Sequence, residues 1–151
     1  MQVDPQLVRR VESIEARIAL SELRAKYAWY IAHGAASEVA DLFTEDGIFE
    51  MYETAERVVT MKGRDVIRER LSAVPDGVRV PLVTNEIFSI DGDRARGTCA
   101  MHSPVSPGQS GGFGGHYVDE LQRVRGTWLF SRRTFYYYWP IYSADRNARP
   151  D

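Results

Sequence analysis

Between residues 6 and 33 apolar side chains return at helical spacing, first as Leu7, Val11, Ile14 and Ile18, then as Leu20, Leu23, Tyr27 and Ile31. Charged residues fill the positions between them. The pattern predicts helix, and because Ser13 or Ser21 can cap a second segment it predicts one bent helix or two. Gly34 suits the helix end, Ser37 the cap of a short second helix, and Val39, Leu42 and Phe43 form that helix's apolar stripe. The period then drops to two. Residues 47–53 and 57–63 read as the strands of a hairpin, and 63–74 return to helical spacing through Val66, Ile67, Leu71 and Val74. Four longer strands follow over 78–91, 94–105, 115–124 and 126–142, with hairpin turns at 91–93 and 125–126.

Helices first and a run of antiparallel strands after them predict an α+β fold and exclude a wound parallel sheet. No linker or internal repeat divides the chain, so residues 1–151 read as one domain with an ordered core of about 6–142 and a polar tail. A long sheet curved over helices leaves a concave side, where small-molecule pockets form. The aromatic run "TFYYYWP" at 134–140 is the oddest stretch. Successive strand residues point to opposite faces, so a half-buried strand needs only alternate aromatics. Rings on both faces predict one side on a pocket and the other against helices or a partner subunit, and so much aromatic surface predicts a homodimer or homotrimer.

Composition narrows the function classes. Apolar residues make up 44% and charged residues 26%, and the net charge of −2 lacks the basic footprint of a nucleic-acid binder. No apolar run reaches membrane-spanning length, and the first residues lack the apolar core of a signal peptide. The single Cys99 rules out an internal disulfide framework and fits a cytoplasmic protein. No Cys/His cluster stands at metal spacing, and the glycine-rich "GQSGGFGG" at 108–115 lacks the lysine and following helix of a phosphate cradle. It reads as a loop. Neither metal nor cofactor is expected; the partner expected is a small molecule.

The strings "LRAKYAWYIAHGAASEVADLFTEDGIFE", "LVTNEIFSIDGDRARG" and "GGHYVDELQRVRGTWLFSRR", in that order, resemble the opening helix and first strand, the central hairpin and the closing hairpin of the SnoaL-like branch of the nuclear transport factor two superfamily. The resemblance runs from about Val11 to Tyr142. It implies a cone-shaped, curved antiparallel sheet wrapped around N-terminal helices, with a deep apolar pocket. The closing hairpin is most similar to the lindane dehydrochlorinase and scytalone dehydratase branches, which use an Asp–His pair. Here Ala32 and Pro81 stand at the two positions of that pair, and Cys99 and Tyr117 at those of a second histidine and an asparagine. The resemblance therefore implies a cofactor-independent lyase, isomerase or cyclase acting by proton transfer on a bulky apolar, aromatic substrate. With the pair missing, a non-catalytic ligand-binding relative or an accessory subunit of a larger enzyme stays open.

Period-two alternation through Pro81 brings Arg79, Val83 and Asn85 to the pocket side, followed by Cys99 and Met101 and then Tyr117 and Asp119. Tyr27 and Tyr30 from the helix, Phe49 and Met51 from the first strand, and Tyr136 or Tyr137 from the last complete the candidate substrate-binding set. Arg79 can fork a carboxylate or phenolate. Asp119 is either a general base raised by burial or a cross-strand partner of an arginine. Histidine is the natural proton shuttle near neutrality. His33 follows Ala32 at a helix end, whereas His102 and His116 have outward parity unless a bulge turns them. These three, with Asp119 and Arg79, are the candidate catalytic residues.

Overall fold

Asp4 opens the first helix, α1 (Pro5–Ala32), by accepting a hydrogen bond from the Gln6 N–H at 2.8 Å, with Pro5 in the first turn where its missing N–H costs nothing. In this computed structural model, which describes residues 3–52, 58–74, 79–104 and 112–140, α1 is a single helix of 28 residues. Neither Ser13 nor Ser21 caps a second one; the Ser21 hydroxyl donates instead to Glu86 at 2.7 Å. Gly34, at φ 63°, ends the helix in the left-handed conformation that glycine adopts without strain. The expectations for the glycine-rich loop at 108–111, for the Trp139 ring and for the tail from 141 lie outside the described positions.

The short helix α2 (Ala36–Asp41) takes Ser37 inside its first turn, with Ala35 at the cap position. Then come β1 (Phe43–Tyr52), β2 (Val58–Lys62), α3 (Arg64–Ser72), β3 (Leu82–Asp91), β4 (Arg94–Ser103), β5 (Phe113–Val124) and β6 (Thr127–Pro140). Arg125 at φ 50° and Gly126 at φ 82° make the tight turn between β5 and β6. The six strands lie in the order β2-β1-β6-β5-β4-β3. Every pair is antiparallel except β1 with β6, which run parallel. The sheet is therefore mixed where a wholly antiparallel one was expected. After β2 and α3 the chain re-enters at the far edge and meanders back, so its last strand arrives beside its first in the same direction.

The curved sheet packs its concave face on the helices, in an unclosed α+β arrangement. Leu20, Leu23 and Tyr27 of α1 are buried there with Val39, Phe43, Phe49, Phe130 and Phe135. The other expected α1 stripe is not core. Leu7, Val11, Ile14 and Ile18 are 51%, 45%, 56% and 56% exposed. At about 100° per residue the two stripes stand roughly 180° apart on the cylinder, so one helix cannot bury both against one sheet.

Arg24 of α1 comes close against the sheet at Gly97 on β4. A Cβ there would lie 2.6 Å from Arg24 Nη2, 2.7 Å from the Ile87 carbonyl oxygen and 2.7 Å from Phe88 Cδ1. Two of these three neighbours belong to rigidly packed groups. Gly97→Ala is expected to destabilise the fold by about 1–3 kcal/mol through overpacking, read by urea denaturation. An unchanged midpoint would show that Arg24 yields freely.

Candidate functional site

Asp119 on β5 and Arg133 on β6 are direct cross-strand partners, and both point into the concave side. Arg24, on the buried face of α1 between Leu23 and Tyr27, meets them there. All three are fully buried. Arg24 Nε donates to Asp119 Oδ2 at 3.0 Å, Arg24 Nη1 donates to the Thr98 carbonyl at 3.1 Å, and Arg133 Nε lies 3.5 Å from Asp119 Oδ1. Burial pushes the Asp119 carboxyl up from its ordinary value, against the pull of Arg133 and then Arg24. Its protonation would leave Arg133 without a counter-charge in the core.

Glu86, partly exposed, adds a second carboxylate 3.9 Å from Arg24 Nη1, and aromatic faces meet the rest of the guanidinium charge. The Arg133 guanidinium lies 3.7 Å from the Tyr117 ring centroid, 4.1 Å from Tyr27 and 4.5 Å from Phe130, while Arg24 lies 4.1 Å from Phe88. Arg133 Nη1 has no hydrogen-bond partner among the described residues. Its ring contacts are electrostatic substitutes for one.

Tyr27 and Tyr117 carry this cluster to the cavity, since each packs on Arg133 with its ring and lines the open space with its other side. Their hydroxyls share a hydrogen bond. Burial pushes Tyr117 well above its ordinary range, reinforced by Tyr27; burial also raises Tyr27, with Arg133 pulling the other way. Both phenols are therefore neutral near pH 7 and act as hydrogen-bond donors. Arg79, Ser103 and Tyr137 supply the remaining polar groups, among apolar walls from Phe49, Met51, Met101, Phe113 and Phe135. The cavity is nearly filled: only about 30 Å³ accepts the centre of a water-sized sphere. That is room for one or two waters, not for a ring.

Of the expected binding residues, Tyr27, Phe49, Met51, Met101, Tyr117 and Tyr137 line this space, as does Arg79 from the catalytic set. Tyr30 borders an adjoining hollow that shares Ile31 and Arg79. Four expectations are corrected. Asn85 sits at a bulge with φ 55°, which turns it out to an exposed hollow beside Ser21. Tyr136 points to the convex face, where it stacks on Tyr52 at 4.9 Å and His116 at 5.0 Å. Cys99 and Asp119 are buried behind the cavity wall rather than lining it, and burial raises the Cys99 thiol.

The three histidines also stand elsewhere. His33 is exposed, its Nδ1 2.8 Å from the Trp29 carbonyl and its ring stacked on Trp29 at 4.3 Å. His102 keeps outward parity opposite Leu82, and His116 joins the convex stack, where burial lowers its pKa. The glycines before His116 do not turn it inward. Instead the register slips between Gly114 and Gly115, which leaves Tyr137 opposite Gly115. Sequence reasoning missed Arg24 and Arg133. The signal was present: Arg24 interrupts the apolar stripe Leu20, Leu23, Tyr27, and Arg133 shares the parity of Phe135 and Tyr137. Among the described residues no three His, Cys, Asp or Glu side chains converge to hold a metal, and no helix is long and apolar enough to cross a membrane.

Comparison with known proteins places this geometry. Residues 12–134 match the SnoaL-like domain family. A protein of unknown function from Mycobacterium tuberculosis, Rv3472, is 25% identical with a TM-score of 0.74, over 91% of this chain and 78% of that one. An NTF2-like protein with a cystatin-like fold from Novosphingobium aromaticivorans is 22% identical at a TM-score of 0.77, over 98% and 95%. LinA is 17% identical at a TM-score of 0.75, over 94% and 99%, a likeness of fold. Among curated proteins none matches in sequence.

Removing one partner from a buried ion cluster costs more than removing the whole. Asp119→Asn, which leaves Arg133 without a carboxylate and Arg24 with only Glu86 at 3.9 Å, is expected to lose about 3–5 kcal/mol in chemical denaturation. Arg24→Met, Asp119→Leu and Arg133→Met combined should lose less than the single change. A single variant milder than the triple would contradict the geometry above.

Proposed function

The chain belongs to the SnoaL-like domain family, and on that footing we propose that its cavity holds a flat, largely apolar small molecule by an oxygen atom and acts on it by cofactor-independent proton transfer, of the lyase, isomerase or cyclase type. The observation that carries this reading is the hydroxyl pair of Tyr27 and Tyr117, packed on Arg133 and open to the cavity beside Arg79. One proton of the pair serves the bond between the two hydroxyls and the other is left over. On this reading Tyr117 donates to Tyr27, and the Tyr27 proton is left for a ligand oxygen. A carbonyl oxygen placed there gains negative charge as a neighbouring C–H bond breaks, the C–H electron pair forming the enolate and the proton passing to a water in the cavity. Tyr27 stabilises that charge as a fixed donor, with the buried Arg133 behind it. Arg79 adds a planar fork for a carboxylate or phenolate.

A ring ligand enters only if side chains give way, and Ile31, Met51, Arg79, Phe113 and Tyr137 are the lining residues with partial exposure. Flat faces of Tyr137, Phe113 and Phe135, with centroids 4.5 to 6.3 Å apart, favour an aromatic guest. A second reading is ligand holding without turnover. It is favoured by the lining itself, where no carboxylate or imidazole stands among the described residues to take the proton. The buried lone thiol fits a reducing compartment such as the cytoplasm.

2-Naphthol and 2-naphthoate serve as probes by fluorescence titration. Tyr27→Phe should weaken both by roughly fivefold to tenfold, the loss of one hydrogen bond. Arg79→Ala should weaken 2-naphthoate and leave 2-naphthol nearly unchanged. Equal affinities in wild type and both variants would refute the oxygen-holding role. Ligand identification by mass spectrometry of the purified protein, followed by turnover assays on it, separates the two readings.

The phenols also set the pH dependence. Both are raised above the ordinary value of 10.0, so the donors stay protonated as pH rises through neutrality. The affinity for 2-naphthol should therefore be flat between about pH 6 and pH 9. A midpoint near pH 6.5 would instead assign a histidine to the site.

A further inference from the structure

The outer face of α1 is a seam without a cover. Leu7, Val11, Ile14 and Ile18 are separated by four, three and four residues, the alternation of heptad a and d positions. They fall within about 60° of one another on the cylinder, opposite the stripe that the sheet buries. Residues 5 to 15 are exposed on every side, so this part of α1 stands clear of the body as an arm. An exposed helix of three turns gains little from propensity alone and is ordinarily held by packing of its apolar face. The same face continues along the body to Trp29, 64% exposed.

The charges flanking the seam identify what fits it. Val11 and Ile18 occupy a positions and Leu7 and Ile14 d positions, which places Arg10 and Arg17 at g and Glu15 and Glu22 at e. One flank is basic, the other acidic, and all four side chains are exposed. In a parallel pair each g residue faces the e residue five positions on in the other helix. Arg10 then meets Glu15 of the other copy and Arg17 meets Glu22, twice over by symmetry. An antiparallel pair sets arginine against arginine and glutamate against glutamate. Val11 and Ile18 at a with Leu7 at d follow the two-stranded pattern, and Ile14 at the second d position departs from it. We propose that α1 pairs in parallel with α1 of a second copy of this chain, along Leu7, Val11, Ile14 and Ile18.

The arrangement is sterically open, because each α1 keeps its own body on the side away from the seam, and it is isologous, as a two-fold dimer requires. The convex sheet face, the other surface considered for self-association, already has Tyr52, Tyr136 and His116 stacked on one another and Arg132 paired with Glu50 at 2.7 Å. Those groups partly satisfy themselves within one chain. The seam residues do not.

Light scattering on the full chain at micromolar concentration should give a dimer mass for wild type and a monomer mass for Ile14→Glu with Ile18→Glu. Far-UV circular dichroism confirms that the variant folds, since both side chains lie outside the core. Ile14→Cys should form an interchain disulfide under mild oxidation, because a parallel two-fold brings position 14 beside its own copy, while the native Cys99 is buried. Arg10→Glu with Arg17→Glu should dissociate alone, as should Glu15→Arg with Glu22→Arg, and an equimolar mixture of the two should recover the dimer. A monomeric wild type, a dimer that survives Ile14→Glu with Ile18→Glu, or no crosslink through Ile14→Cys would each overturn the proposal. None of these outcomes bears on the ligand cavity, whose tests use other residues.

Discussion

Asp119 sits between two guanidiniums in the core, and most of the molecule's arrangement depends on that contact. Arg24 comes from the helix, Asp119 and Arg133 from the two closing strands. Because a buried charge cannot be left without a counter-charge, the helix must stay in register with the hairpin to within hydrogen-bond reach. Apolar packing of Leu20, Leu23 and Tyr27 tolerates small slips; a charged hydrogen bond at 3.0 Å does not. The absence of a side chain at Gly97 gives Arg24 its passage beneath β4. Orientation of the helix and curvature of the sheet are thus tied to one ionic cluster.

The same cluster shapes the chemistry of the cavity. Arg133 has no second carboxylate, so its charge is met by the faces of Tyr27, Tyr117 and Phe130. That fixes the two phenol rings, and fixed rings hold their hydroxyls at one place on the cavity wall. Preorganised donors of this kind need no rearrangement when charge develops on a bound oxygen. Among the described residues that line the cavity no carboxylate or imidazole stands as a proton acceptor, while the two phenols and Arg79 stand as donors, with Pro81 in the wall.

The outward surfaces follow from geometry just as directly. Alternation in β6 divides its aromatics, with Phe135 and Tyr137 inward and Tyr136 and Tyr138 outward, and the outward rings stack with His116. The run is therefore neither all pocket nor all interface. Helix α1 is likewise two-sided: its apolar halves face opposite directions, so one belongs to this domain and the other to whatever lies outside it.

Hydrophobic periodicity alone was enough to determine where helices and strands lie, their α+β order and the turns at 92 and 125–126, because each is set by neighbours along the chain. The family strings added the curved sheet and the pocket side through Arg79 and Pro81. Helical spacing put Tyr27 on the inner face of α1, and strand parity put Met101 and Tyr117 on the cavity side. Tertiary structure decided the rest. The parallel pairing of β1 with β6 depends on where the chain re-enters the sheet. The turning-out of Asn85 and the assignment of Tyr137 rather than Tyr136 depend on bulges, which shift register without a reliable local signal. Arg24 and Arg133 read as surface charge in a one-dimensional pattern. Only the fold, by bringing Asp119 between them, offsets the cost of burying them behind the cavity wall.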